Sequence, residues 1–287
     1  MNILDDLKLQ YKLGGITNRL IYWNAGCFLL SLVFFYQFKV GQFDYPFWVA
    51  LNTDFNHFLI APWTFVTYAF FHDGFLHLLF NMIVLNFSSQ LFLTYFTQKQ
   101  LLGLYVLGAF FAGVVFVVTY YFMNISTGIV GASAAIMAIL MAVTVYQPLM
   151  QVRLMLIGNV KLWHITAVIL VLDLMQFRLG NMGGHISHLA GAFFGFVFIK
   201  SLQNGTDLSK LVSGVIDFFT NLFNKSNKTP FKKVHKNYTP PAAKRTSRVV
   251  IKDKSQQQID EILDKISQSG YDSLTKEEKE FLFKVGK

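Results

Sequence analysis

Six long apolar segments, separated by short polar breaks, constrain the fold of this chain more than any other feature. They cover approximately residues 20–38, 75–96, 101–123, 128–147, 162–179 and 182–202. Each segment is long enough to cross an apolar layer of about 30 Å at about 1.5 Å per helical residue. Only 14% of the residues are charged and 53% are hydrophobic, which excludes an ordinary water-soluble domain. The sequence therefore predicts an all-α, polytopic membrane protein with six transmembrane helices.

Basic residues near the ends of the segments predict the orientation of the helices. They concentrate before the first segment, between the second and third, between the fourth and fifth, and after the sixth: Lys8, Lys12, Arg19, Lys99, Arg153, Lys161 and the chain beyond residue 224. Because short cytoplasmic connections are enriched in Lys and Arg, both termini are predicted to be cytoplasmic. The second, fourth and sixth helices then begin at the outer face. This topology is typical of a multi-pass protein of the bacterial inner membrane.

The chain is predicted to divide into five parts. They are a cytoplasmic N-terminal segment (1–19), a six-helix membrane domain (20–202), an amphipathic interfacial helix (203–224), a basic disordered linker (225–254) and a small cytoplasmic helical hairpin (255–287). The linker is predicted to lie near anionic lipid, at about 1 kcal/mol per basic residue close to the surface. Its position after a membrane span favours lipid over nucleic acid as its partner.

Two further features bound the membrane domain. The first loop, residues 39–72, is rich in aromatic residues and is predicted to form a structured, partly immersed element on the outer face. Cys27 is the only cysteine, which excludes an intrachain disulfide bond and a cysteine-based metal cluster.

Polar side chains interrupt three of the apolar segments at one predicted depth. His77 and Asn81 stand four residues apart in the second segment, hence on one face of the helix. Ser133 is predicted to lie about 8 Å below the start of the fourth helix, and His188 at a similar depth in the sixth. Because these three helices are all predicted to begin outside, the four side chains should meet in the outer half of the membrane. Polar groups at such a depth are costly and indicate a function.

These residue types suit the hydrolysis of an amide. Serine is a weak nucleophile that needs a base within hydrogen-bond reach, which an imidazole from a neighbouring helix would supply. The oxyanion formed by the attack needs fixed donors, and the Ser133 N–H with the side chains of His77 and Asn81 would provide them. A face of small residues on the sixth helix predicts the close helix packing that this contact requires. Its members are Gly184, Gly191, Ala192 and Gly195.

Taken one at a time, the same residues also have structural interpretations. Ser133 could bond its own i−4 carbonyl, and His77 with Asn81 could simply link two helices. His185 could be an interfacial residue at the mouth of a site, and His72 could mark a helix start or the rim of the site. Three further polar residues are assigned structural roles, because no partner is predicted at their depth: Asn86, His164 and Asp173.

The combined motifs resemble those of the rhomboid intramembrane serine proteases. The matching pieces are Pro62-Trp63, Thr67-Tyr68 and Phe71-His72 before the second helix, His77-Leu-Leu-Phe-Asn81 within it, Gly131-Ala-Ser133-Ala in the fourth, and His188-Leu-Ala-Gly-Ala-Phe-Phe-Gly in the sixth. They occur in the family's order between about residues 19 and 202.

The resemblance implies a six-helix rhomboid-like bundle with Ser133 as nucleophile and His188 as general base. It implies a dyad with no third carboxylate, and oxyanion donors from His77, Asn81 and the Ser133 N–H. It further implies cleavage of single-pass transmembrane proteins near their outer ends, with no cofactor and no metal ion.

Two residues depart from the family pattern. Ala134 follows the serine where the family usually has glycine, and Met137 stands where many members have an aromatic ring against the histidine. Neither change removes a reacting group, so a slower or differently selective enzyme is expected.

Two other functions remain open from the sequence. One is a catalytically silent relative that binds transmembrane helices, against which the presence of Ser133 and His188 argues. The other is a transporter, against which the absence of repeated halves and of an acidic residue at mid-membrane depth argues.

Overall fold

The structure is a computed structural model that describes residues 2–154, 157–176, 181–223 and 254–285. These residues fall into two compact units, divided between residues 226 and 227, and each unit is described by itself. Residues 225–253, which hold nearly all of the predicted basic linker, lie outside the described residues.

Helices dominate the first unit, which confirms the predicted all-α polytopic membrane fold. The helices are α1 (Ile3–Leu13), α2 (Gly15–Phe34), α3 (Phe55–Ile60), α4 (Thr64–Thr67), α5 (Phe75–Leu93), α6 (Gln98–Met123), α7 (Ser133–Tyr146), α8 (Leu162–Gln176), α9 (Met182–Gln203) and α10 (Ser209–Phe223). Each predicted apolar segment overlaps one of them: α2, α5, α6, α7, α8 and α9. The predicted first segment, 20–38, is wrong at both ends, because α2 begins at Gly15 and ends at Phe34, and residues 36–37 form a strand. Among the described residues, α5, α6 and α9 are long and apolar enough to cross a membrane, and α7 and α8 are shorter apolar helices.

The first loop is built from short elements and pairs with the loop before α7. Its strands are β1 (Tyr36–Gln37), β2 (Gln42–Phe43) and β3 (Leu51–Asn52), followed by α3, α4 and a 3₁₀ turn at Tyr68–Phe70. Strand β4 (Gly128–Ile129) pairs antiparallel with β3, with Leu51 opposite Ile129. The predicted helix over 128–147 is therefore wrong at its start: residues 128–129 form a strand, and α7 begins at Ser133.

Helix α7 lies at the centre of the bundle, where small residues let α9 approach its backbone. A Cβ atom added to Gly191 would lie 2.0 Å from the Ala134 carbonyl oxygen, and one on Gly195 would lie 2.2 Å from that of Ala138. Such distances leave no room for a side chain, so the glycines define the α7–α9 contact. Gly191 and Gly195 of the predicted small-residue face have this packing role, whereas a Cβ on Gly184 would meet the Asn181 side chain.

Further elements complete the first unit. Strands β5 (Gln151–Leu154) and β6 (Gly158–Lys161) form a hairpin between α7 and α8. A buried 2.6 Å contact between the hydroxyls of Thr144 and Thr166 links α7 to α8. The N-terminus of α10 packs on α6, where a Cβ on Gly103 would lie 2.4 Å from the Ser209 Cβ.

The described residues of the second unit, 254–285, form two helices. They are α11 (Lys254–Ser269) and α12 (Lys276–Val285), with a 3₁₀ turn at Tyr271–Ser273 between them. The Lys265 ammonium contacts the Glu278 carboxylate at 2.8 Å, and Thr275 with Glu278 forms a capping box at the start of α12.

Candidate active site

Ser133 and His188 meet at the contact between α7 and α9. The Ser133 Oγ lies 2.7 Å from the His188 Nε2, which is hydrogen-bond distance for a nucleophile and its base. Helix α9 can bring His188 this close because Gly191, three residues further along, packs directly on the α7 backbone. Ser133 is the first residue of α7 rather than a residue one turn inside a helix.

The start of α7 provides backbone donors beside the serine. The first N–H groups of a helix have no partner within the helix, and the helix dipole makes this end positive. Gly131, just before Ser133, has a φ of +137°, a conformation that side chains rarely adopt. The backbone can therefore turn sharply into the helix and leave the Ser133 N–H at its free end.

His77 and Asn81 lie on α5, across from the start of α7. A Cβ on Gly131 would lie 3.1 Å from the His77 Nε2 and 3.7 Å from the Ser133 Oγ, so the imidazole packs on the loop beside the serine. The Asn81 amide donates one hydrogen bond to the His77 carbonyl at 2.9 Å. Its second N–H is left for another acceptor. The structure thus brings together all four residues that the sequence predicts for the site.

Two further groups flank the His77 ring. Its Nδ1 contacts the Asp73 carboxylate, and this hydrogen bond lowers the pKa of Asp73. The ring of His72 packs against that of His77 with centroids 5.1 Å apart. Burial and the neighbouring His77 lower the pKa of His72 to about 3, so its ring is neutral. His72 is fully buried behind His77 and does not line the cavity described below.

A cavity of about 800 Å³ opens over these residues. Its walls include Ser133, His188, His77 and Asn81. The residues predicted near the site also line it: Ala134, Met137 and His185. Ala134 is almost fully buried and packs with Ala112 and Ala190, while Met137 adds a flexible apolar side chain to the wall. The ring that packs against His188 is that of His185, with centroids 6.0 Å apart.

Asp173 corrects one sequence-based interpretation. It was expected to have no partner at the depth of the site, but its Oδ1 lies 2.7 Å from the His185 Nδ1 and 2.9 Å from the His188 Nδ1. The resemblance implied no third carboxylate, and here one contacts the base. The three side chains also present possible metal-ligand atoms within 4.8 Å of one another. An ionisable residue inside an apolar segment was the signal that could have identified it.

Comparison with protein families agrees with the architecture and with the motifs. The family model of the Rhomboid domain matches residues 61–203, which span the end of the first loop and the helices from α5 to α9. A family of unknown function, DUF6576, matches residues 250–285, which include α11 and α12. A search of curated proteins finds no match to the chain. With the Rhomboid domain matched across the helices that form the site, the chain belongs to the rhomboid family of intramembrane proteases.

Proposed function

We propose that the chain is an intramembrane serine endopeptidase that uses Ser133 and His188 as a catalytic pair. The observation that carries the proposal is the 2.7 Å contact between the Ser133 Oγ and the His188 Nε2. It lies on the wall of a cavity and beside the free N-terminus of α7. Nucleophile, base and candidate oxyanion donors therefore share one space that a peptide could enter.

The reaction follows from the positions of these groups. As the Ser133 oxygen bonds to the scissile carbonyl carbon, its proton moves to the His188 Nε2 and the carbonyl electrons move to the oxygen. The Ser133 N–H, His77 and Asn81 stabilise this oxyanion. When the C–N bond breaks, His188 returns the proton to the leaving amine and an acyl-serine remains. A water molecule then repeats the sequence and releases the acid.

The proposed substrates are single-pass transmembrane proteins. A helical amide hides its carbonyl from attack, so a substrate whose helix unwinds easily near its outer end should be preferred. By analogy with the rhomboid family, a small residue before the scissile bond should also be preferred. The proposed location is the bacterial inner membrane with both termini cytoplasmic, which places the starts of α5, α7 and α9 at the outer face.

Cleavage of a labelled transmembrane peptide by the purified protein tests the proposal. Wild type is expected to produce fragments, and Ser133→Ala is expected to lose at least about 10³-fold in rate because the nucleophile is gone. The matched control is Ser88→Ala on α5, whose buried hydroxyl donates to the Val84 carbonyl within its own helix and does not line the cavity. Equal cleavage by wild type and Ser133→Ala, or by neither over a broad peptide panel, would refute the proposal.

A further inference from the structure

Asp173 is a buried acid that the proposed reaction leaves without a role. It lies on α8 and is 6% exposed. Its Oδ1 is within hydrogen-bond distance of the Nδ1 atoms of both His185 and His188. An ionised carboxylate can only accept hydrogen bonds, so each of these nitrogens donates a proton to it. The hydrogen-bond partners thus assign a proton to Nδ1 in both rings.

We propose that Asp173 is a positioning residue that extends the Ser133–His188 pair to a Ser–His–Asp relay. This inference rests on the proposed function. With its proton on Nδ1, neutral His188 has its lone pair on Nε2, which is the atom that faces the Ser133 Oγ at 2.7 Å. Asp173 therefore holds His188 in the tautomer that can accept the serine proton.

The same carboxylate stabilises the charge that forms during the reaction. When His188 takes the proton from Ser133, an imidazolium forms beside Asp173, whose side chain is only 7% exposed. Attraction between opposite charges is stronger where water is excluded. Asp173 lies on the cavity wall, but its Oδ1 is bound to the two imidazoles and contacts His188 at Nδ1, the edge of the ring that points away from Ser133. It should therefore raise kcat and have little effect on KM.

His185 has a supporting part in this arrangement. It lies three residues before His188 on α9 and binds the same carboxylate oxygen, at the shorter distance of 2.7 Å. A buried carboxylate is costly unless it is hydrogen-bonded, and this second donor helps to hold Asp173 in place. Loss of His185 should therefore reduce activity less than loss of Asp173.

A metal ion is the rival interpretation of the same three side chains. The distances of 2.7 Å and 2.9 Å from the carboxylate to the two rings are those of direct hydrogen bonds. A metal on the His188 Nδ1 would leave the ring proton on Nε2. Nε2 could then not accept the Ser133 proton, so the metal site and the base exclude each other.

The first test compares Asp173→Asn with wild type, using the full-length protein and a labelled transmembrane peptide. Asparagine keeps the size but not the charge, and its amide favours the wrong tautomer of His188. We expect kcat to fall by about 10²- to 10⁴-fold, with KM changed by less than about threefold. Thr166→Val is the matched control on the same helix, because it removes a buried α7–α8 hydrogen bond away from the site. It should leave kcat within about threefold of wild type.

A second pair keeps the test decisive if Asp173→Asn does not fold. Asp173→Glu and Asp173→Gln have side chains of equal length and differ in charge, so a structural role predicts equal rates. The relay predicts that the Glu variant is at least about tenfold faster than the Gln variant. Equal rates for this pair, or an Asp173→Asn kcat equal to that of wild type, would overturn the inference.

Three outcomes separate this inference from its alternatives and from failure of the proposed function. Activity that is lost on chelation and restored by Zn²⁺ would assign the cluster to a metal and overturn the relay. If wild type shows Ser133-dependent cleavage and the Asp173 variants are fully active, the relay is overturned and the proposed function stands. Wild type without any Ser133-dependent cleavage would refute the proposed function itself, and the relay with it.

Discussion

At the scale of single residues, His77 lies between a carboxylate and the loop that precedes Ser133. Its Nδ1 donates to Asp73, so the opposite nitrogen, Nε2, faces the Gly131 turn. Nε2 can donate to an oxyanion only if the ring also carries a proton there. An ionised Asp73 provides the counter-charge for that second proton, and the lowered pKa of Asp73 keeps it ionised at neutral pH.

Asp73→Asn should therefore weaken the oxyanion site. Removal of the counter-charge is expected to lower kcat by about tenfold with little change in KM, a smaller loss than His77→Ala should cause. The effect belongs to the ionised carboxylate, so it should be present at neutral pH and disappear below the lowered pKa of Asp73.

Asp44→Asn is the matched control, because Asp44 also lies in the first loop and accepts a hydrogen bond from Gln37, away from the site. Full activity of Asp73→Asn beside an impaired His77→Ala would show that His77 acts without its carboxylate.

The residue scale also shows what the sequence could predict about the site. Helix direction and depth bring together His77, Asn81, Ser133 and His188, as the structure has them. Asp173 was missed although the same arithmetic applies: it lies about 9 Å before the predicted outer end of the fifth segment. Depth alone does not say which way a side chain points around its helix. That direction depends on how α8 packs against α9, and this packing cannot be predicted from the periodicity of a single sequence.

At the scale of elements, the glycine contact between α7 and α9 sets the distance between nucleophile and base. In Gly191→Ala, the new Cβ atom would lie only 2.0 Å from the Ala134 carbonyl oxygen. The two helices must therefore separate to accommodate it. We expect a loss of about 1–3 kcal/mol in the free energy of unfolding and a fall in kcat. Thermal unfolding in detergent and peptide cleavage measure the two effects.

Gly26→Ala on α2 is the control for this substitution, because no atom lies within 4 Å of its added Cβ. It should keep full activity and be neutral or stabilising by about 0.5–1 kcal/mol. If Gly191→Ala and Gly26→Ala have the same free energy of unfolding and the same kcat, the role given to the α7–α9 contact is contradicted.

The start of α7 shows why element boundaries were harder to predict than the elements. The run from residue 128 is apolar apart from Ser133 as far as Thr144, so its hydropathy favours a continuous helix. The strand pairing of Leu51 with Ile129 overrides this preference, and it joins residues far apart in the chain. Because residues 128–129 form a strand, the helix begins only at Ser133, and its first backbone N–H groups have no acceptor within the helix. The structure thus gives the serine a second functional feature that helix periodicity did not predict.

At the scale of the whole molecule, six apolar helices were predictable because hydropathy alone encodes them. The helical tail was predictable from its periodicity: α12 lies within the predicted hairpin, and α11 begins at Lys254, one residue before it. The helix α10 lies within the predicted interfacial segment, and many of its apolar side chains are exposed: Leu211, Val215, Ile216, Phe218, Phe219 and Leu222. Its position along the membrane surface, the basic linker and the lipid and substrate partners stay predictions.

The proposed orientation in the membrane predicts which surface lysines face outwards. Lys39 in the first loop and Lys99 in the first turn of α6 are both exposed. In a background with Cys27→Ser, an impermeant maleimide should label Lys39→Cys in intact cells and Lys99→Cys only after permeabilisation. The reverse pattern would place the cavity on the cytoplasmic side.

The central claim is that His188 activates Ser133 within the membrane domain, and covalent labelling tests it most directly. A fluorophosphonate probe should modify the detergent-purified full-length protein, and mass spectrometry should locate the adduct on Ser133. Labelling should be lost in Ser133→Ala and in His188→Ala, while the fold-neutral Gly26→Ala should label like wild type. Wild type that is not labelled, or His188→Ala that is labelled at the wild-type rate, would contradict the account.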